Sequence, residues 1–326
     1  MTAEQQRLHG HDAKGVFFIV GPTATGKSEL AADVGQKMGA EIINADAFQI
    51  YRGLDLLTAK PDAATIAKAP HHLIGTVPLQ EEMNAERFRR AASRVIDEIH
   101  SRDKPVLVVG GSGLYIKTLT HGLAALPEPD PNLRVQLNEM SLNELRRRLV
   151  DLDPETARKI DMQNRRRLVR AVEICLLTEK PVSSQRTQWR CIAGVDDPAR
   201  PGSTIPGSGV FVFRGRDELY TRINNRVEAM FENGVIEEVR AAGATSSTAS
   251  RMIGLDEIRE LLEGRMSLLQ CIAAIQQATR RYSKRQLTWF RRQSNFEPLN
   301  LSLLSHNEAA KWMLLRVRRS LAHRND

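Results

Sequence analysis

Cysteine, long apolar runs and, over one long stretch, acidic residues are scarce in this 326-residue chain, and each shortage excludes something. The three cysteines, Cys175, Cys191 and Cys271, lie far apart, without the close pairs that disulfide frameworks or thiolate zinc sites use. They read as reduced thiols filling small apolar positions. The longest apolar runs, such as Val16 to Val20 and Val106 to Val109, are strand-sized, whereas a membrane span needs roughly 18 residues. The first fourteen residues, ending in Ala13 and Lys14, are polar and contain acids, unlike a secretory signal or an Arg-rich transit peptide, and read as a frayed end. A soluble, cytoplasmic, monomeric protein without a membrane partner is expected. The third absence is regional: no Asp or Glu occurs between Glu263 and Glu297.

The chain is too long for one ordinary domain and short for three, which points to one large core plus a smaller module. Lys and Arg outnumber Asp and Glu by 47 to 39, and the resulting net charge of +8 favours a polyanionic partner without naming it.

Three early apolar runs, Val16 to Val20, Glu41 to Asn44 and Val106 to Val109, alternate with helical patterns such as Lys27 to Met38 and Arg87 to His100. That order predicts an α/β fold, a parallel sheet flanked by helices. A fourth run, Val210 to Phe213, reads as a later strand of the same sheet. Between them, after the breakers Leu126 to Pro131, the chain to about Gln188 reads as consecutive helices, closed by a Gly- and Pro-rich loop from Asp196 to Gly209. The expected division is a core of residues 15–125 and 206–326 around an all-helical insertion of residues 126–205.

The first strand runs directly into Gly21, Pro22, Thr23, Ala24, Thr25, Gly26, Lys27 and Ser28, and a helix follows. This is the Gly-x-x-x-x-Gly-Lys-Ser/Thr phosphate-binding loop, or P-loop, in its required strand-loop-helix setting. Backbone N–H groups and the helix N-terminus cradle phosphate oxygens, Lys27 neutralises them, and the Ser28 hydroxyl can reach Mg²⁺. The loop alone does not say whether its guest is ATP or another diphosphate.

The second strand ends in NADAFQIY, Asn44 to Tyr51, which puts Asp46 at the carboxyl edge of the sheet, where ligands of open α/β folds bind. Asp46 reads as a substrate or magnesium ligand, as a base, or as a helix N-cap. The third strand ends in GGSGLY, Gly110 to Tyr115, where two glycines permit close backbone approach and Ser112 offers a hydroxyl. Thr58-Ala59-Lys60-Pro61 either adds positive charge near the phosphates or forms a solvated turn. The adjacent His71 and His72 point apart on a regular element, so packing or hydrogen bonding is expected in place of a metal pair.

Within the acid-free stretch, Gln276 to Arg292 places Arg281, Lys284, Arg285, Thr288 and Arg292 on one helix face. Ile272, Ile275, Tyr282, Trp289 and Phe290 occupy the opposite face and would anchor the helix to the core. A ridge of this kind suits a phosphate backbone, giving affinity without sequence readout.

Seven ordered blocks resemble the tRNA dimethylallyltransferase family, also called tRNA isopentenyltransferases, over nearly the whole chain. They are GPTATGKS, NADAFQIY, TAKP with the following HHLI, VVGGSGLY, NRRRLVRAVEI, RINNRVEAM with GVIEEV, and KRQLTWFR. The resemblance implies a P-loop NTPase-like core and transfer of a dimethylallyl group from dimethylallyl diphosphate to the N6 amine of adenosine 37, beside the anticodon of tRNAs reading codons that begin with U. The P-loop would hold the donor's diphosphate with Mg²⁺ as cofactor, although the same loop is often described as a nucleotide site. Asp46 corresponds to the family's base and Arg226 to an arginine that holds the diphosphate, and Ser112 would serve one substrate or the other. Asp46 with Ala47, Phe48 and Gln49, Ser112, Arg134, Arg166, Arg167, Leu168, Val169 and Arg170, and Arg251, Met252, Ile253, Gly254, Leu255 and Asp256 fall in stretches that resemble its tRNA contacts. The chain departs from the family's usual residues at Ser112 in place of Thr, at Gly75 after Ile74, and at Leu255 after Gly254, where an aromatic is common.

The rival enzyme class is a P-loop kinase of a small metabolite, and the rival from another class is an RNA-binding protein with a vestigial loop. A basic helical module is superfluous for a small acceptor, and the intact Lys27, Ser28 and Asp46 argue against decay. Replacing Arg281, Lys284 and Arg285 with Gln should weaken tRNA binding and flatten its salt dependence by about one slope unit per lost phosphate contact. Filter binding across a salt series checks this, and an unchanged slope would reduce the ridge to a solvated surface.

Overall fold

The runs VFFIV at Val16–Val20 (β1), EIIN at Glu41–Asn44 (β2) and VLVVG at Val106–Gly110 (β4) are buried at every residue, so both faces of these strands are covered. Continuous burial of this kind is what a parallel sheet between helical layers requires. In the computed structural model, which describes residues 15–122, 126–186 and 209–322, six parallel strands take the order β3-β2-β4-β1-β5-β6. The N-terminal fourteen residues, Cys191 and the loop expected from Asp196 lie outside the described residues, apart from Gly209 at the loop's end.

Helix α1 (Lys27–Met38) follows β1, α2 (Ala63–Ala67) precedes the two-residue β3 (His71–His72), and α3 (Ala85–Ser101) leads to β4. Helix α4 (Gly113–His121) leaves the core. The run expected as a fourth strand is β5 (Gly209–Phe213), which pairs with β1, and β6 (Glu297–Asn300) closes that edge. One face of the sheet, with Phe17, Ile19, Leu107 and Val212, packs on Leu30 and Val34 of α1 and on Met313 and Val317 of the last helix. On the other face, Phe211 stacks with Phe290, which also meets Phe296 edge-on.

His71 and His72 make no metal pair. His71 Nδ1 contacts the Ala69 carbonyl at 2.7 Å, and His72 Nε2 lies 2.8 Å from Glu41 Oε2. Arg102 donates to the same Glu41 oxygen at 2.8 Å. Burial works to raise the Glu41 pKa, but these hydrogen bonds outweigh it and hold the carboxyl below its ordinary value.

Chain contacts divide the protein into two units: residues through Thr120 together with those after the insertion, and the segment from His121. Among its described residues the second unit is helical: α5 (Pro131–Glu139), α6 (Leu142–Leu152), α7 (Pro154–Lys159), α8 (Arg165–Thr178) and α9 (Val182–Arg186). Asp130, Ser141, Asp153 and Asn164 cap four of these by accepting a backbone N–H, and Pro131 and Pro154 stand where a helix needs no donor. Leu137, Leu145, Leu149, Leu168 and Val172 form its core. Resuming the first unit, α10 (Arg216–Glu232), α11 (Val235–Ala241), α12 (Leu255–Leu262), α13 (Leu268–Phe290) and α14 (His306–Ala322) complete the chain. Among the described residues no helix is long and apolar enough to cross a membrane.

Glu173 of α8 is fully buried, yet it is surrounded by donors. Arg134 donates to it through Nε at 2.9 Å and Nη2 at 3.1 Å, Arg170 through Nη1 at 2.6 Å, and the Asp130 amide at 3.0 Å. Glu173→Ala would leave two arginines facing a hole, at a cost of about 3 to 5 kcal/mol. Thermal unfolding followed by circular dichroism should show that loss, and a melting temperature equal to that of the wild type would contradict it.

Candidate active site

Three strand ends are laced together at the carboxyl edge of the sheet. The Gly21 amide donates to Gly110 O at 3.2 Å, the Ala45 amide to Val109 O at 2.7 Å, and the Ser112 amide to Ala45 O at 3.2 Å. Gly110 has to be glycine, because a Cβ there would stand 2.2 Å from the Ala45 carbonyl oxygen. The P-loop, Asp46 and the GGSG turn are thereby brought side by side.

Within the P-loop, Ala24 and Gly26 take positive φ, 64° and 90°, which turns successive amides inward as an anion cradle needs. A left-handed alanine is strained and persists only when its surroundings hold it. Arg222 Nε donates to Ala24 O at 2.9 Å and Arg214 Nε to Thr25 O at 2.8 Å, so two arginines grip the outward carbonyls. The Thr25 hydroxyl closes the turn onto Pro22 O at 3.0 Å.

Inside this frame stand Lys27, Arg226 and Asp46. The ammonium of Lys27 donates to Pro22 O at 3.2 Å. Burial pulls its pKa down to about 8 against the raising effect of Asp46, and Arg226 adds repulsion. Arg226, from α10, is pulled down to about 10 by burial, with Asp46 again opposing, and its Nε is buried without a hydrogen-bond partner. Two enclosed cations beside one carboxylate form a site that an anion would complete.

Asp46 Oδ1 accepts the amides of Phe48 at 2.9 Å and Gln49 at 3.3 Å, so one oxygen caps the turn after β2. That leaves Oδ2 for other work. The Ser112 hydroxyl accepts the Ala47 amide at 2.9 Å, with Tyr282 beside it, which ties it to the support of this turn. Beside Asp46 opens a cleft of about 500 Å³, open solvent included. Thr23, Arg226 and Tyr282 contribute polar groups to its lining, while Leu57, Val227, Met230, Met252, Ile253 and Ile275 form an apolar wall. Burial, with Asp46 nearby, pushes the Tyr282 hydroxyl well above its ordinary pKa and keeps it a neutral donor.

Several expected contacts lie elsewhere. Leu168 and Val169 are in the core of the helical unit and Leu255 in that of the first unit, so the side chains of these three offer no outer surface to tRNA, while Met252, also less than a tenth exposed, lines the cleft. Arg134 and Arg170 are committed to Glu173. Gln49 donates to the carbonyls of Thr58 and Ala59 at 3.1 and 2.8 Å, and Lys60 donates to Tyr51 O and Gly53 O of its own loop, so the Thr58 to Pro61 segment is a self-bonded turn with no lysine at the phosphates. Arg166, Arg167, Arg251 and Asp256 are exposed, as are Arg281, Lys284 and Arg285 on α13. Ile253 is half-buried and lines the cleft, while Gly254 is buried and opens α12 with φ 97°.

Sequence reasoning missed the inner face of α13. Thr279, Ser283 and Gln286 are buried there, polar residues at helical spacing opposite the arginines, and that stripe was a legible signal of a face turned to a site. It also missed Arg222, one turn before Arg226 on α10. Among the described residues no group of three or more His, Cys, Asp or Glu side chains could hold a metal ion.

Comparison with known proteins identifies the family and its relatives. The family described as IPP transferase matches residues 49–293. A tRNA dimethylallyltransferase 1 of Citrifermentans bemidjiense is 43% identical over 86% of this chain and 90% of its own length. A tRNA dimethylallyltransferase of Akkermansia muciniphila is 38% identical over 94% and 99%. Among solved structures, the full-length tRNA isopentenylpyrophosphate transferase of Bacillus halodurans superposes with a TM-score of 0.68 at 30% identity, covering 96% of this chain and 98% of that one. A eukaryotic dimethylallyltransferase crystallised acting on tRNA gives 0.73 at 25% identity, covering 96% and 79%.

The Lys27 pKa near 8 has a consequence for anion binding. The group is protonated below that value, and a diphosphate held at this site would bind that form. Affinity for inorganic diphosphate should therefore fall as pH rises above about 8, by up to tenfold per unit until the pKa of the bound state is reached. Calorimetry from pH 7 to 9.5 should show this decline in the wild type and lose it in Lys27→Ala. An equal slope in both would detach the effect from Lys27.

Proposed function

This chain belongs to the IPP transferase family of tRNA dimethylallyltransferases, and from that membership we propose that its cleft is where dimethylallyl diphosphate and a tRNA adenosine meet. Its activity is the family's prenyl transfer, to the N6 amine of the adenosine 3′ of the anticodon, at position 37 in tRNAs reading codons that begin with U, with release of diphosphate. The observation that carries the assignment of roles is the enclosed pair Lys27 and Arg226 next to Asp46, with an apolar wall adjoining.

The donor's diphosphate lies in the P-loop amides against Lys27 and Arg226. Its dimethylallyl chain lies along Met230, Met252, Val227 and Ile275. The adenine amine is a poor nucleophile because its lone pair is delocalised into the ring, so it needs a carboxylate to take its proton. As N6 bonds to the allylic carbon, the carbon–oxygen bond breaks, its electron pair leaves with the diphosphate, and the N6 proton passes to Asp46. Negative charge then grows on the leaving oxygens, where the amides and the two cations stabilise it without reorganising.

The site's donor set suits Mg²⁺ held mainly by phosphate oxygens, because Ser28 supplies one hydroxyl at the start of α1 and no carboxylate cluster surrounds it. When bound, Mg²⁺ would neutralise the leaving diphosphate. The exposed Arg281, Lys284 and Arg285, with Arg166, Arg167 and Arg251, supply positive charge to the tRNA backbone. The adenosine leaves its stack to reach Asp46. A small-molecule kinase is disfavoured by the same cleft, whose long apolar wall has no use in holding a polar acceptor.

Asp46→Asn keeps the shape and the cap but cannot take the proton. It should leave tRNA and donor binding near wild type and slow the chemical step by about 10² to 10⁴. Single-turnover measurements with both substrates saturating isolate that step. A loss confined to binding would make Asp46 an orienting residue.

A further inference from the structure

Gln286 is 5% exposed on α13, the helix whose outer face carries Arg281, Lys284 and Arg285, and both ends of its amide are engaged. Its Oε1 accepts the Thr23 amide of the P-loop at 2.9 Å. Its Nε2 donates to the Gly111 carbonyl of the GGSG turn, also at 2.9 Å. The amide orientation is set by its partners, since one is an N–H and the other a carbonyl.

These two partners belong to the two halves of the site. Thr23 lines the cleft within the anion cradle, while Gly111 adjoins Ser112, whose hydroxyl holds the Ala47 amide next to Asp46. Residue 111 is built around the contact, because a Cβ there would lie 2.3 Å from Gln286 Nε2. Two further residues of α13 reinforce it. Tyr282 stands beside the side chains of Ser112 and Gln286, and the Trp289 ring occupies the space above Gly113, where a Cβ would come within 2.6 Å.

We propose that Gln286 is a positioning residue that clamps the P-loop at Thr23 to the GGSG turn at Gly111 and so fixes the distance between the anion cradle and Asp46. The clamp rests on reading the cleft as the donor site. A loop carrying a strained Ala24 is free to relax when a strut is removed, and misplacement of reacting groups by a fraction of an ångström is costly in transfer chemistry. Because the clamp lies on the buried face of α13, the tRNA-facing arginines do not depend on it.

Two variants test it. Gln286→Leu removes both hydrogen bonds at similar volume. It should raise KM for dimethylallyl diphosphate about tenfold and lower kcat as well, while the dissociation constant for tRNA stays at the wild-type value. Gln286→Glu can still accept from Thr23, but as a carboxylate it faces the Gly111 carbonyl with no proton to donate. Measured as a ratio to wild type at each pH, its donor KM should return toward one as the pH falls and the new carboxyl becomes protonated and can donate again. A filler residue without a positioning role would lower the folded fraction and leave the donor KM of the remaining enzyme unchanged, and that outcome overturns the proposal. So does a Gln286→Glu ratio that stays flat with pH. Calorimetry with inorganic pyrophosphate judges the clamp apart from the reaction: weaker binding to Gln286→Leu supports it and equal binding refutes it. A wild type that bound pyrophosphate but not dimethylallyl diphosphate would overturn the donor assignment alone.

Discussion

Lys27 and Arg226 hold their charges out of water beside a single carboxylate, and most of the site follows from that constraint. An enclosed cation is costly, which is why burial lowers the pKa of both groups. Asp46 offsets the cost only in part, and a polyanionic ligand would supply the rest. The frame that keeps them in place is correspondingly rigid: strand ends laced by backbone hydrogen bonds, a glycine at 110 that no other residue can replace, and arginines gripping the carbonyls behind the loop.

Helix α13 joins two tasks that have different physical requirements. Its outer face has only to present charge, so long, solvated side chains suffice there. Its inner face has to fix distances, and uses a short-range set: an amide with both ends bonded, a phenol beside it, and an indole filling the space over a glycine. Residues on opposite faces of one helix are close along the chain yet separable in effect, because only the inner ones touch the P-loop and the GGSG turn.

Some of this architecture was legible in residue order and some was not. The central strands announced themselves as apolar runs, and the P-loop by its glycine and lysine spacing in a strand-to-helix context. The edge strands did not. His71–His72 is two polar residues long, and Glu297–Asn300 contains a proline that only an edge position tolerates, so neither produces a hydrophobic pattern. Leu168, Val169 and Leu255 sit inside blocks that resemble tRNA contacts, but a block marks a place along the chain and carries no information about which side chain reaches the surface. Lys60 and Gln49 bond their own loop, an outcome set by turn geometry that spacing alone does not show.

The sequence by itself determined the glycine- and lysine-bearing loop between strand and helix, the position of Asp46 at a strand's carboxyl end, the parallel α/β core, the helical insertion and the basic outer face of α13. These depend on local spacing and periodicity, which a linear chain displays directly. Tertiary structure alone decided that Arg134 and Arg170 serve a buried Glu173, that Arg214 and Arg222 brace the P-loop, and that Gln286 spans from Thr23 to Gly111. Apart from Arg170 and Glu173, which lie one helical turn apart, those are contacts between residues distant in the chain, with Gln286 and Thr23 separated by 263 positions. A polar side chain declares no partner until folding brings a donor and an acceptor within reach and removes the water that would otherwise satisfy them.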